Sequence, residues 1–220
     1  MQFLVAQSTH DEIQVGFFSH SLLTAQRSIP KFNACQQLTF VINDIVKQHV
    51  TDSSHLDFIG INQGPAPFNT LRALISSANG IAFATQIPLV GANGLKALYT
   101  TSRAAQPVVL LNAFNQEVYY AYKKQADLAL GVAKFDEIIP AILLHMPHGV
   151  ITFLGNGSRM YQKQIVTAFG KRAEFQTSDT AVNLPLEVLG RICLNKFKQG
   201  EHVFALTPLY LKRAVQERSH

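Results

Sequence analysis

The residues best placed to do chemistry lie where a short apolar run, Leu56 to Asn62, meets Gln63-Gly64-Pro65-Ala66-Pro67-Phe68-Asn69-Thr70-Leu71-Arg72. A strand that turns through glycine into a helix leaves backbone N–H groups free at the helix start, a geometry that favours anions. Pro65 and Pro67 each delete one such donor, so only a partial phosphate cradle remains. No Lys-Ser/Thr pair follows Gly64, which excludes a Walker-type loop. A plain strand-to-helix turn is the alternative reading of the same residues. His145-Met146-Pro147-His148 offers two imidazoles three residues apart. Pro147 spoils their geometry as helical metal ligands and no third ligand is adjacent, so ordinary loop histidines are expected. Cys35 and Cys193, the only cysteines, match no metal or redox spacing and point to a reducing compartment. Neither a His-Glu-x-x-His nor a Gly-x-Ser-x-Gly motif is present, so the sequence carries no recognisable peptidase constellation.

Composition sets the limits around these residues. The 220 residues suit one large α/β domain or two small ones. Charged residues make up 15%, against about 25% in an ordinary globular chain. So little charge leaves apolar surface either for a partner or beneath a Gln, Asn, Ser and Thr-rich exterior. The net charge of +5 tolerates a polyanion nearby, yet Lys123-Lys124 and Lys171-Arg172 are only pairs and form no phosphate-tracking stripe. Met1 to Val5 lacks a basic, extended apolar leader, and no run approaches the roughly 20 apolar residues of a membrane span. A cytoplasmic protein is expected.

The elements that must position the candidate residues follow from apolar spacing. Gln2 to Gln7 and Ile13 to Phe18 read as a hairpin, with a third strand near Leu22 to Gln26 ended by Pro30. From Lys31 to His49 the period turns helical through Phe32, Cys35, Leu38, Ile42, Ile45 and Val46, and Phe40, Val41 and Val50 widen the stripe. Leu56 to Asn62 is a strand, Pro67 to Thr85 a second helix. That helix is apolar over much of its circumference through Phe68, Leu71, Leu74, Ile75, Ala78, Ile81, Ala82 and Phe83. Arcs this wide need cover on more than one side. Phe32, Cys35, Leu38, Ile42, Ile45, Phe68, Leu71, Leu74, Ile75 and Ala78 are therefore the expected partner interface, a helix sandwiched inside one subunit being the other explanation. Beyond lie a strand at Pro88 to Gly91, a helix at Asn93 to Ser102, and a hairpin of Pro107 to Asn112 and Glu117 to Tyr122. Then come a helix at Asp136 to His145, a strand at Val150 to Leu154, a helix at Arg159 to Phe169, a strand at Ala173 to Gln176, and a helix at Ala181 to Lys198. Each half opens on a hairpin and then alternates strands and helices, which predicts a duplicated architecture. The expected boundary divides residues 1–103 from 104–220, with the tail packing back on the first half.

Five motifs in register give the chain a family resemblance. Gly64, Pro65, Phe68, Leu71 and Arg72 stand at their places in the GPGSFTGLR signature of the TsaB (YeaZ) family. Val90-Gly91-Ala92-Asn93-Gly94-Leu95 resembles its GVSSL. Leu111-Asn112-Ala113-Phe114-Asn115-Gln116-Glu117-Val118-Tyr119 resembles DARRGEVY. Gly155-Asn156-Gly157 matches its GNG turn, and Pro208-Leu209-Tyr210-Leu211-Lys212 resembles its terminal P-Y-L-R. The resemblance implies an actin-like (ASKHA, Hsp70-type) duplicated α/β fold. It also implies a non-catalytic subunit that pairs with the transferase TsaD, with the ATPase TsaE, to form N6-threonylcarbamoyladenosine at position 37 of ANN-decoding tRNAs. The tRNA would be reached through the complex, this chain would need no cofactor, and ATP or ADP would sit at the boundary with TsaD.

The departures bear on catalysis. Gln7-Ser8-Thr9 stands where the family has Asp-Thr-Ser, and an amide has no charge to hold a phosphate-bound cation. Asn112 replaces the Asp of DARRGEVY, and Ala66, Pro67, Asn69 and Thr70 replace Gly, Ser, Thr and Gly. An independent ASKHA ATPase or glycoprotease-like peptidase is the competing expectation, and a homodimer through the same helices a third. Arg72 and Glu117, both charged and both in matched motifs, are expected to pair across the halves.

Overall fold

The computed structural model describes residues 1–49, 56–176 and 184–211. The chain separates into two compact units, Met1–Gly94 with Pro185–Leu209, and Leu95–Leu184 with Tyr210–His220.

The first unit opens on an antiparallel meander: β1 (Gln2–Ser8), β2 (Glu12–Ser19) and β3 (Leu22–Pro30). A 3-10 turn at Lys31–Asn33 leads into α1 (Ala34–His49), then β4 (Phe58–Asn62), α2 (Phe68–Thr85) and β5 (Leu89–Ala92). The strands lie in the order β3-β2-β1-β4-β5. Central β1 runs antiparallel to β2, with Val5 opposite Gly16, and parallel to β4, with Leu4 opposite Ile59. It is buried from Phe3 to Ser8 because both sheet faces are covered. Leu38, Ile42 and Ile45 of α1 and Leu71, Leu74, Ile75 and Ala78 of α2 fill one face together with Leu4, Ala6, Ile59 and Ile61. The other face is aromatic and takes α7 (Leu186–Lys198), which packs on β1, β4 and β5. Phe3 stacks on Phe18 and Phe58 at 4.8 and 4.4 Å, and Phe58 on Phe197 at 4.6 Å. Gly60 lets α7 approach: a Cβ there would lie 2.8 Å from the Cys193 sulfur.

The second unit repeats the plan. After α3 (Gly94–Thr101) come β6 (Pro107–Asn112), β7 (Glu117–Lys124), β8 (Asp127–Lys134), α4 (Phe135–His145), β9 (Ile151–Leu154), α5 (Asn156–Met160), α6 (Gln162–Phe169) and β10 (Ala173–Phe175). Its sheet order, β10-β9-β6-β7-β8, is the first sheet's order read from the other edge. The duplication reaches single residues. α1 and α4 both end on a histidine whose Nδ1 lies within hydrogen-bond reach of the carbonyl four residues back, Ile45 at 2.8 Å and Ala141 at 2.7 Å. Each ring also meets an aromatic of the neighbouring strand, Phe17 for His49 and Tyr122 for His145.

Several details differ from expectation. β8 is absent from the sequence reading: Leu128-Ala129-Leu130-Gly131-Val132-Ala133 has only one β-branched residue and no aromatic, so propensity does not announce a strand. Pairing with β7 from Lys124–Asp127 to Glu117–Lys134 makes it one. The helix expected over 159–169 breaks at Tyr161, and the one expected from Ala181 begins at Leu186, after Pro185; residues 181–183 lie outside the described residues. The units divide at Gly94/Leu95, with residues 185–209 in the first, where the sequence suggested a cut at 103/104. Pro140 stands inside α4 on its exposed side.

Candidate functional site

In the first unit the loops at the ends of β1 and β4 and the start of α2 converge. Gly64 has φ +120°, a conformation open to glycine, and a side chain there would press on Leu71 at 3.1 Å and the Leu209 carbonyl at 3.3 Å. Its N–H donates to Asn62 Oδ1 at 2.9 Å, and its carbonyl accepts from the Gly94 N–H at 2.9 Å. The turn that the sequence offered as an anion cradle thus spends its glycine donor on its own structure. Below it lies a row of neutral polar groups. Gln7, Ser8, Asn62 and Thr70 are all buried. Gln7 Nε2 donates to Gln14 Oε1 at 2.7 Å, the Ser8 and Thr70 hydroxyls are 2.7 Å apart, and Thr70 also donates to the Pro67 carbonyl. Asn62 is packed against Gly94, where a Cβ would collide with its amide. Gln7, at the position expected to lack an acid for a phosphate-bound cation, is an amide engaged by Gln14.

The second unit has the matching junction. The Asn112 N–H donates to Asn156 Oδ1 at 2.9 Å, and Asn112 Oδ1 accepts from the Phe114 N–H at 2.9 Å. These bonds brace a turn in which Phe114, Asn115 and Gln116 all have positive φ, +60°, +51° and +61°. Left-handed residues other than glycine cost energy, so the turn depends on its bracing. Gly155 (φ +92°) and Gly157 press on β6: a Cβ on Gly157 would sit 2.8 Å from the Leu110 carbonyl oxygen, and one on Gly155 would collide with the same oxygen. The GNG turn is therefore a close backbone approach that only glycine permits, and Asn156 ties it to the turn of the other motif. Glu117 is buried, and burial, then the Glu117 charge, raise the Tyr119 phenol above its ordinary range. A cleft of about 240 Å³ opens beside Gly155, lined also by Phe153, Ser158, Arg159 and Phe175. His145 is held by α4 as described above, and the described residues contain no group of three or more His, Cys, Asp or Glu arranged to hold a metal. Arg72 belongs to the first unit, its guanidinium 4.9 Å over the Phe68 ring, and Glu117 belongs to the second.

The expected partner interface needs correction. Leu38, Ile42, Ile45, Leu71, Leu74, Ile75 and Ala78 are buried in the first unit's own core. A side chain already packed against its own sheet cannot also face a partner. Phe32, Cys35 and Phe68 do lie on the outside, and Phe40 and Phe83 join them: Phe32 is 88% exposed, Phe83 82%, Phe40 69% and Phe68 47%. Phe68 and Phe83 fall roughly 60° apart round α2, Phe68 at the edge of the core arc beside Ile75 and Phe83 beyond it. The sequence held the signal. The best-formed i, i+3, i+4 set marks a helix's own core, and aromatics left off that arc mark its outer face. Of the C-terminal motif, Pro208 is partly buried with the first unit, and Tyr210 is about half exposed.

The family profile described as TsaD, tRNA N6-adenosine threonylcarbamoyltransferase, matches residues 33–194. The curated tRNA N6-adenosine threonylcarbamoyltransferase of Anoxybacillus flavithermus is 28% identical over 128 residues, covering 52% of this chain and 37% of that protein. The chain thus matches little more than a third of its curated relative's length. Among solved structures, YeaZ from Pseudomonas aeruginosa superposes with a TM-score of 0.70 at 21% identity, covering 96% of this chain and all of that one. A second Pseudomonas structure, described as similar to peptidase YeaZ, gives 0.72 at 22% identity, covering 96% of this chain and 99% of that one. Component A of (R)-2-hydroxyglutaryl-CoA dehydratase from Acidaminococcus fermentans gives 0.52 at 8% identity, over 90% of this chain and 98% of that one. At these identities the shared property is the fold, an actin-like one. Because the profile runs over most of its length, the chain belongs to the tRNA N6-adenosine threonylcarbamoyltransferase family, built in the actin-like fold it shares with YeaZ.

Proposed function

We propose that this chain is a non-catalytic, TsaB-type subunit that binds TsaD and supports N6-threonylcarbamoyladenosine formation at position 37 of ANN-decoding tRNAs. The observation that carries this reading is the exposure of Phe32, Phe40, Phe68 and Phe83 on α1, α2 and the turn that leads into α1. Large exposed aromatics on one unit of a chain with so few charges match the composition of an interface core. Arg72, of a type enriched at interface hot spots, lies with its guanidinium over the Phe68 ring. The neutral residues at the two loop junctions favour a supporting role over independent ATP hydrolysis, since Gln7 and Asn112 offer no carboxylate to a metal. On this reading TsaE assists, tRNA is met through the complex, and any ATP or ADP lies at the boundary with TsaD.

A tagged copy expressed in its own cells is expected to retain TsaD, and depletion is expected to remove the modified nucleoside from ANN-decoding tRNAs. Retention of neither TsaD nor TsaE, with the tRNAs unchanged on depletion, contradicts the proposal. A catalytic reading has one observation in its favour, the match to a relative that is itself named as the transferase. Turnover of ATP or of tRNA by the purified chain alone would establish that reading instead. Self-association through the same aromatic face is distinguished by sedimentation of the chain with and without TsaD.

A further inference from the structure

Beyond α7 the chain turns at Gly200 (φ +78°) and runs back along the first unit as a strap. Val203 and Leu89 exchange both backbone hydrogen bonds, at 2.7 and 2.9 Å, so the strap begins as one rung on the free edge of β5. Lys196 secures that start: its ammonium reaches the Gly91 carbonyl at 3.0 Å and Glu201 at 3.1 Å. Leu206 then enters the core beside α2 and β5. Its backbone is read on both sides by one amide of α2: Asn79 Nδ2 donates to the Leu206 carbonyl at 2.9 Å, and the Leu206 N–H donates to Asn79 Oδ1 at 2.8 Å. Gln63, immediately before the Gly64 turn, repeats the arrangement. Its side chain donates to the Thr207 carbonyl at 2.8 Å, and its own carbonyl accepts from the Leu209 N–H at 2.8 Å. Gly91 leaves room for this, since a Cβ there would collide with the Gln63 amide.

We propose that residues 203–209 are a latch on α2, and that Asn79 and Gln63 are the positioning residues that close it. α2 packs against α1 and lies over the first sheet, and the strap is fastened to it at mid-length and at the turn that launches it. The Asn79 amide acts as a short piece of strand, and Gln63 holds the strap with its side-chain Nε2 and its backbone carbonyl, much as a sheet would. Opening the latch uncovers Leu206's slot and the edge of β5 and lets α2 move apart from the rest of its unit. Its bearing on assembly rests on the reading of α2's outer face as a partner surface; the latch itself does not.

Hydrogen–deuterium exchange on the full chain tests it. Asn79→Ala and Gln63→Ala each remove a hook without touching the exposed aromatics, and Ser76→Ala on the outer face serves as control. The expected result is exchange about tenfold faster within Phe68–Thr85 for both hook variants, with the second unit's α4 unchanged. Asn79→Asp, which keeps the acceptor for the Leu206 N–H but turns a carboxylate oxygen on the Leu206 carbonyl, is expected to exchange at least as fast as Asn79→Ala. Unchanged exchange in α2 for both hook variants overturns the latch. So does acceleration spread equally over α2 and α4, because that is general destabilisation. Failure of wild type to bind TsaD would count against the proposed function and leave the exchange result standing.

Discussion

Two cysteines of one type behave oppositely because of what surrounds them. Cys35 is exposed near the start of α1, whereas Cys193 is enclosed between α7 and the glycine-thinned strand β4. Burial pushes the Cys193 thiol from 9.0 up to about 12, only partly offset by the Lys196 charge. One thiol, Cys35, is therefore expected to react with an aromatic disulfide reagent in the native protein, and two after unfolding. The same shift has a pH consequence. The unfolded thiol ionises near 9.0 and the folded one only near 12, so the unfolded state gains across that window and stability falls as pH rises through it. Urea midpoints from pH 8 to 11 should decline less steeply in Cys193→Ala than in wild type. The glycines of the GNG turn make a second residue-scale case. Gly157→Ala must push its new methyl against the Leu110 carbonyl, and a loss of about 2 kcal/mol or more is expected in chemical denaturation. Motif matching located Gly155 and Gly157 in the sequence, but their reason, contact with a strand more than forty positions earlier, is a property of the fold alone.

At the scale of elements, most strands and helices were legible because apolar period and turn residues agree on them. The exceptions have physical causes. β8 is a strand by pairing and not by propensity, and the break between α5 and α6 follows from a short helix that must seat its glycines on β6 before the chain can turn. The wide apolar arcs of α1 and α2 are legible as arcs, but their densest part is the unit's own core, and of the expected interface residues only Phe32, Cys35 and Phe68 stand outside it. Helix ends also rely on side chains that no periodicity reveals. Arg172 donates to the Gly149 carbonyl at 2.9 Å and to the Met146 carbonyl, closing the chain that leaves α4. Arg172→Ala is expected to cost about 1–2 kcal/mol of unfolding free energy, with Arg172→Lys recovering only part, because one ammonium cannot serve both carbonyls as a planar fork does.

For the whole molecule, the duplicated plan leaves a division of labour that the sequence suggested and the burial pattern sharpens. Each unit buries its own core and ties its loop junction with neutral hydrogen bonds, and the first unit still exposes Phe32, Phe40, Phe68 and Phe83 on α1, α2 and the turn before α1. Substitutions at the two kinds of position should separate. Leu74→Ala, inside the core, is expected to lower stability by about 2–5 kcal/mol, whereas Phe83→Ser, outside it, should leave stability within about 0.5 kcal/mol and act on association only. Sedimentation velocity of the chain mixed with an equimolar amount of TsaD from the same organism, for wild type and for a Phe32→Asp/Phe83→Asp double variant, is the most direct test. The proposed function predicts a 1:1 complex for wild type and two separate species for a variant that remains folded. Separate species for wild type, or an undiminished complex for the variant, would contradict it.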